Sequence, residues 1–155
     1  MKTNAARMLD SLSISYEMRS YEVDENDLSA AAVAAKIGMP LGQVFKTLVL
    51  KGDKTGVMLA CIPGESEVNL KALAAASGNK KTEMVPLKDV QSLTGYIRGG
   101  VSPIGTKKKY PLFLDDRAMT WPVISISAGA RGYQLIIAPG DLIEVCSAST
   151  GKYGM

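Results

Sequence analysis

A lysine stands inside the most strand-like stretch of the chain. Residues 43–50 form a short apolar run rich in strand-forming side chains, and turn-forming residues follow it. In a strand, Lys46 shares its face with Val44 and Leu48. An ammonium beside apolar side chains needs a counter-charge, contact with water, or a cleft that an anionic group enters. The run therefore predicts a buried strand that carries a cation next to an apolar surface.

Length and composition limit the chain to one domain. Its 155 residues, 46% of them hydrophobic and 21% charged, can fill a core. No segment approaches the roughly 20 apolar residues that cross a bilayer, and the N-terminus lacks a secretion signal. Two scattered cysteines indicate neither a disulfide framework nor a zinc site. We expect a cytoplasmic protein with no membrane contact, a domain over residues 1–146, and a polar, loose tail over residues 147–155.

The chain contains no histidine, which excludes several kinds of catalysis. Neither a Ser-His nor a Cys-His pair can form, and no metal site can use imidazole. Any chemistry must depend on lysine, carboxylates, hydroxyls, backbone amides or the substrate itself. The net charge of +3 permits contact with a polyanion without requiring it.

Strand and helix patterns alternate irregularly along the chain. Helices are expected after Thr3, Ser29, Asn69, Pro86 and Asp141, with Pro86 as the first helical residue and Asp141 as a cap. Strands are expected at residues 16–21, 43–50, 57–62, 82–85, 112–114, 123–127 and 133–138. This order predicts an α/β (α+β) fold: a single domain with a mixed, curved or barrel-like sheet flanked by helices.

Two glycine-containing loops are candidates for ligand contact. The loop Gly99–Gly105 lets backbone N–H groups approach a ligand, although a tight structural turn explains it equally well. The segment Ser127–Gly132 offers a hydroxyl and amides to a carbonyl oxygen, although turn chemistry favours a simple hairpin. Lys46 could instead extend its ammonium group to water, and Lys107–Lys109 could instead form a solvated face of the molecule.

Four stretches, in this order, resemble one known family. They are Val44–Val49, Leu70–Leu73 with Lys80–Met84, Thr94–Gly105, and Ser127–Gly132. Together they are similar to the YbaK/EbsC-type aminoacyl-tRNA deacylases, and the similarity covers nearly the whole chain. The resemblance implies a barrel-like mixed sheet with a pocket at one end. It implies hydrolysis of mischarged tRNA, typically cysteine wrongly attached to proline tRNA, without a metal or organic cofactor. It also implies prolyl-tRNA synthetase as a partner.

The resemblance assigns roles to particular residues. Lys46 corresponds to the essential lysine of the family's Phe-Lys-Thr motif, and Thr47 follows it in that motif. Tyr21 corresponds to the tyrosine that ends the early strand. The remaining substrate-binding positions are Gly99, Gly100, Val101, Ser102, Pro103, Ser127, Gly129 and Gln134. Some members carry aspartate where Gln134 stands, and an aromatic residue that walls the pocket in some members falls near Leu28 or Ser29.

The implied chemistry agrees with the absence of histidine. The resemblance suggests that the substrate's own thiol attacks its carbonyl, giving a cyclic thioester and free tRNA. Preorganised donors, such as amides of the glycine turns, would stabilise the oxyanion, and Lys46 would fix the terminal phosphate or ribose. Two alternatives remain open: a non-catalytic adaptor of the same fold that binds a tRNA acceptor end or a synthetase, and a domain that binds a small metabolite.

Overall fold

The computed structural model describes residues 2–155. This part of the chain forms five α-helices, two short 3₁₀ helices and eight strands. The α-helices are α1 Asn4–Ser11, α2 Ala30–Ile37, α3 Leu70–Ser77, α4 Leu87–Thr94 and α5 Pro139–Cys146. The strands are β1 Glu17–Ser20, β2 Phe45–Gly52, β3 Gly56–Pro63, β4 Thr82–Met84, β5 Leu112–Asp115, β6 Ile124–Ser127, β7 Tyr133–Ile137 and β8 Ser149–Gly151. The 3₁₀ helices are Leu41–Gln43 and Asp116–Thr120.

The strands form two sheets. In the five-stranded sheet the order is β4-β2-β3-β5-β8, and in the three-stranded sheet it is β1-β7-β6. The predicted strands at residues 43–50 and 57–62 correspond to β2 and β3, which pair as an antiparallel hairpin, whereas β3, β5 and β8 run parallel to one another. The predicted mixed α/β domain is confirmed. The barrel-like closure is not, because within residues 2–155 only an isolated bridge between Val44 and Ser125 joins the two sheets.

Alternation along β2 separates two apolar cores. Phe45 and Val49 point into the larger core, which lies between the sheets and includes Ile126 and Leu135. Leu50 points to the opposite side, into a smaller core beneath α3. Burial of both faces explains why the sequence of β2 reads as a continuous apolar run.

Three of the predicted helix starts are confirmed. The side chains of Thr3, Ser29 and Asn69 each accept a hydrogen bond from a backbone N–H in the first turn. Pro86 precedes α4 as its N-cap instead of being its first helical residue. The predicted cap at Asp141 is wrong, since α5 already begins at Pro139 and Asp141 lies in its first turn.

The expectation of a loose C-terminal tail is wrong. β8 pairs in parallel with β5, and the Tyr153 ring is buried against Phe113 with 5.6 Å between ring centroids. The carboxylate of Asp115 accepts hydrogen bonds from the backbone N–H groups of Tyr153 and Gly154 at 3.2 and 2.8 Å. A short polar sequence gives no sign of these long-range partners. Among residues 2–155, no helix has the length and apolar character to span a membrane.

Candidate functional site

A cleft opens where β2 and β6 separate. The two strands are bridged in parallel at Val44 and Ser125, and no further pairing joins them within the described residues. β3 pairs with the opposite edge of β2 along its whole length, and on the edge that faces β6 the strand β4 pairs with β2 only at residues 50–52. The cleft has a volume of about 420 Å³ and runs along residues 44–49 of β2, with mainly apolar walls. The fold therefore leaves an open strand edge beside a cavity large enough for a small ligand.

Six of the predicted site residues line this cleft, and five do not. The lining includes Lys46, Thr47, Gly99, Val101, Ser127 and Gln134. Tyr21, Gly100, Ser102, Pro103 and Gly129 are not part of it. Four stretches that are far apart in sequence thus meet at one cavity, which no local pattern could establish.

The ammonium of Lys46 has one hydrogen-bond partner among residues 2–155. Its Nζ donates a hydrogen bond to the carbonyl oxygen of Gly64 at 3.2 Å. Within residues 2–155, no carboxylate oxygen lies within 4.0 Å of this nitrogen. Burial lowers the pKa of Lys46, and the charge of Glu67 opposes that effect. Because an ammonium has three donors, a cation with unused N–H groups faces the cleft.

Close packing fixes the position of Gly64. A Cβ atom added there would lie 2.6 Å from the Ala30 Cβ and 2.9 Å from the Val44 carbonyl oxygen. The Gly64 N–H donates to that same oxygen at 2.7 Å. Only glycine therefore fits, and its carbonyl is held where Lys46 reaches it. The sequence interpretation assigned no role to Gly64, although the Pro63-Gly64 pair marks a turn directly after β3.

Thr47 carries an unusual hydroxyl. Its Oγ1 is the one buried side-chain polar atom within residues 2–155 that lacks a hydrogen-bond partner. Thr47 lies directly opposite Cys61 in the hairpin and lines the cleft. The oxygen is shielded from solvent and lies beside the Cys61 thiol, and it lowers the pKa of that thiol slightly against the effect of burial. The role of Thr47 in substrate binding therefore stays a prediction.

Two polar side chains on the three-stranded sheet complete the polar part of the wall. Ser127 and Gln134 are directly paired across β6 and β7. Ser127 Oγ accepts the N–H of Gly129 at 3.1 Å, which leaves its own O–H free to donate. Gln134 Oε1 accepts a hydrogen bond from Ser125 Oγ at 2.8 Å. The alternating sequence Ile-Ser-Ile-Ser from residue 124 indicates that the two serines share one face of β6, although Ser125 was not predicted as a site residue.

The two glycine turns pack on each other instead of offering all their amides to the cleft. A Cβ at Gly100 would lie 3.1 Å from the backbone nitrogen of Arg131. The Gly100 N–H donates to the Ile97 carbonyl, and the Gly129 N–H donates to Ser127. The expected supply of oxyanion donors from these two amides is therefore not available.

Tyr96 holds the glycine turns together. Gly129 has a φ of 96°, and a Cβ there would lie 2.7 Å from the Tyr96 ring. The carbonyl oxygens of Ile104 and Gly105, at 2.8 and 2.9 Å, share the single O–H donor of Tyr96. Burial raises the pKa of Tyr96 to about 12. Because Gly129 has no Cβ, the Tyr96 ring packs directly against it at the back of the site.

The other predicted residues lie behind the cleft. Tyr21 packs in the small apolar cluster beneath α2 that contains Val33 and Val44. Ser102 is fully buried, and its Oγ accepts the N–H of Ile104 at 3.2 Å. Pro103 lines a separate, smaller cavity of about 200 Å³. Their substrate-binding roles stay predictions.

The lining lacks the groups that usually act as a base, a nucleophilic thiol or a metal ligand. Among the described residues it contains no aspartate, glutamate or cysteine. Cys61 and Cys146 lie elsewhere, and burial raises the pKa of Cys61 to about 12 and that of Cys146 to about 11. Neither thiol is poised to ionise near neutral pH. The described lining offers hydrogen-bond donors and two cations, Lys46 and Arg98, but no carboxylate or imidazole that could activate a nucleophile.

The mouth of the cleft contains residues that the sequence interpretation did not assign to the site. Arg98 adds a second cation to the lining, and the side chains of Met84 and Leu87 contribute exposed apolar surface. Leu28 and Ser29 also line the cleft, where the resemblance places an aromatic wall in some members.

Comparisons with known proteins agree with this geometry. The family profile described as "Aminoacyl-tRNA editing domain" matches residues 24–145. The chain is 48% identical over 144 residues to "Putative Cys-tRNA(Pro)/Cys-tRNA(Cys) deacylase EbsC" of Enterococcus faecalis, covering 93% of this chain and 88% of that protein. It is also 30% identical over 76 residues, 49% of this chain, to a segment that makes up 13% of the proline–tRNA ligase of Thermosipho africanus.

A solved structure shares the fold. It is described as a "putative trans-editing enzyme for prolyl tRNA synthetase" and superposes with a TM-score of 0.82 at 22% identity, covering 100% of this chain and 99% of that one. The family profile spans most of the chain, from the acidic loop before α2 to the end of α5. The chain belongs to the aminoacyl-tRNA editing domain family.

Proposed function

We propose that this protein is an aminoacyl-tRNA deacylase that removes cysteine from mischarged proline tRNA. The 48% identical relative carries the name of such a deacylase, and the family profile covers most of the chain. The cleft suits a small aminoacyl group attached to a nucleotide, because its walls are mainly apolar and its cations lie at the edge of β2 and near the mouth. Lys46 is the residue that we assign to catalysis.

One observation carries the proposed mechanism. The cleft presents an ammonium without an ion-pair partner, yet within the described lining it contains no carboxylate, histidine or cysteine. A hydrolase of the usual kind needs a base to activate water or a side chain. A substrate that brings its own nucleophile removes that requirement, and a cysteinyl ester carries a thiol close to its carbonyl.

The reaction then proceeds within the substrate. The cysteinyl thiol gives its proton to water, the resulting thiolate attacks the ester carbonyl carbon, and the carbonyl electron pair moves onto its oxygen. When this pair returns, the bond from carbon to the ribose oxygen breaks, and that oxygen takes a proton from water. The products are a cyclic thioester and free tRNA. Lys46 and the Ser127 hydroxyl stabilise the developing negative charge, since each has a donor to spare.

Mischarged tRNA is the proposed substrate, and prolyl-tRNA synthetase is the proposed partner. The similarity to a segment of a proline–tRNA ligase supports this association, because an editing domain that acts separately must reach the same tRNA. Three consecutive exposed lysines, Lys107–Lys109, offer a surface for the tRNA backbone. We expect the reaction to take place in the cytoplasm, where tRNA is charged.

The experiment measures release of free tRNA from Cys-tRNA(Pro) and from Ala-tRNA(Pro) by the purified protein. We expect turnover of the cysteinyl substrate and little effect on the alanyl substrate, which has no thiol. Binding of both without turnover would contradict the proposal and favour the adaptor. Indifference to both would favour a domain that binds a small metabolite.

A further inference from the structure

A buried hydrogen bond joins Ser125 to the glutamine of the cleft wall. Ser125 is fully buried and Gln134 is only 5% exposed. The two side chains lie on the same face of the three-stranded sheet, where Ser125 Oγ donates to Gln134 Oε1 at 2.8 Å. Burying two polar side chains carries a desolvation cost unless they are paired. This pairing places Oε1 against Ser125 and occupies one of its two lone pairs.

The amide nitrogen of Gln134 therefore faces the cleft. Nε2 makes no hydrogen bond within residues 2–155, yet it is not among the buried atoms that lack a partner. Since Gln134 lines the cleft, the space that Nε2 reaches is the cleft itself. A glutamine NH₂ group has two donors and no acceptor. Gln134 thus directs two donors into the cleft.

The charged side chains of the cleft lining also favour a negatively charged ligand group. Lys46 and Arg98 are the cations of the lining, and no carboxylate within the described lining opposes them. An ammonium group of a substrate is disfavoured beside such a wall, whereas an oxygen that gains negative charge is favoured. The wall therefore suits the carbonyl oxygen of an ester better than an α-ammonium group.

We infer that Gln134 donates a hydrogen bond to the carbonyl oxygen of the scissile ester, and that Ser125 is a positioning residue that holds the amide in this orientation. The inference rests on the proposed deacylase function and extends it. Gln134 stabilises the electron pair that moves onto the carbonyl oxygen when sulfur bonds to carbon. The α-amino group of the substrate is not recognised at this wall as a cation.

A double-mutant cycle tests the pair, with single-turnover deacylation of Cys-tRNA(Pro) as the assay. Gln134→Leu should lower the rate about 100-fold, the typical effect of losing one oxyanion donor. Ser125→Ala should lower it about 10-fold, the equivalent of one hydrogen bond. The double variant should be no slower than Gln134→Leu alone, because Ser125 acts only through Gln134. Multiplication of the two losses would overturn the positioning role.

Two further variants separate this role from general damage to the fold. Gln134→Glu retains the size of the side chain while replacing its donors with acceptors, and it should lose activity to a similar extent. Thr3→Ala removes a hydroxyl that is also buried and hydrogen-bonded, but that lies at the start of α1 outside the cleft. Its rate should remain that of the wild type, and thermal melts should show all variants folded.

A second substrate tests the charge preference of the wall. N-formyl-Cys-tRNA(Pro) cannot carry an α-ammonium group, and we expect it to be cleaved at a rate close to that of Cys-tRNA(Pro). Gln134→Leu should slow both substrates equally. A formylated substrate that is not cleaved, or that is insensitive to Gln134→Leu, would overturn the inference. A wild-type protein inactive on Cys-tRNA(Pro) itself would instead refute the proposed function.

Discussion

Replacing Lys46 by methionine should separate activity from stability. Methionine retains most of the length and apolar surface of the lysine stem but removes the charge. In the folded protein the Lys46 Nζ bonds only to the Gly64 carbonyl oxygen, at 3.2 Å, and has no carboxylate within 4.0 Å in the described chain. The substitution therefore removes one donor and one cation from the cleft and breaks no ion pair.

The loss of activity follows from the proposed role. Removing one donor to a developing oxyanion typically costs 100- to 1000-fold in rate, or about 2.7–4 kcal/mol of transition-state stabilisation. Lys46 contributes a full charge as well as a hydrogen bond, so we expect single-turnover deacylation of Cys-tRNA(Pro) to fall at least 100-fold. The free energy of unfolding should change little, because burial already disfavours the charged form and lowers the pKa of Lys46.

Lys51→Met is the matched control. Lys51 lies on the same strand, is exposed, and pairs with Glu83 across β4 outside the cleft. Its variant should retain wild-type activity, and urea unfolding should place both variants within about 1 kcal/mol of the wild type. A Lys46→Met protein with near-normal deacylation, or a loss of activity equal to that of Lys51→Met, would refute the assignment.

Three other predictions concern pH and packing. Because the pKa of Lys46 is lowered, the deacylation rate should begin to decline at a pH below 10.5, the ordinary pKa of lysine. The Lys46→Met variant should not show this alkaline decline. Both expectations are checked by pH–rate profiles corrected for spontaneous hydrolysis. Burial alone would raise the pKa of Asp115, but hydrogen bonds from Arg117 and Gly154 outweigh burial, and the pKa is lowered. Asp115→Asn should therefore destabilise the protein by about 3 kcal/mol at neutral pH. That loss should shrink as the pH falls from 3.8, where the carboxylate becomes protonated in the unfolded chain, through the lower pKa of the folded protein, where the native carboxylate is protonated as well. Gly129→Ala should lower the melting temperature, since its φ is 96° and the new Cβ meets Tyr96, whereas Gly140→Ala, with no atom within 4 Å, should not.

Much of the fold could be predicted because its signals are local. The caps at Ser29 and Asn69 and the hairpin of β2 and β3 depend on neighbouring residues. The parallel pairing of β3, β5 and β8 depends on contacts between distant segments, and the polar sequence of β8 hides it. The separation of the two sheets, which creates the cleft, also has no local signal.

The candidate site shows the same division. Lys46 was identifiable because a charge interrupts an apolar run, and the cleft contains it as expected. Gly64 and Ser125 were not identifiable, since their roles depend on contacts with residues that are distant in sequence. Gly129 was predicted to bind substrate, but its N–H is used by Ser127 and its free side packs against Tyr96. Glycine in a loop thus indicates close approach without revealing what approaches.

The proposed mechanism depends most on the substrate's supplying the nucleophile. The direct measurement compares single-turnover deacylation of Cys-tRNA(Pro) with that of S-methylcysteinyl-tRNA(Pro), in which the thiol is blocked. The account predicts rapid release of tRNA from the first and release at the uncatalysed rate from the second. Equal rates for the two substrates would show that water or a protein group attacks the ester, and would contradict the account.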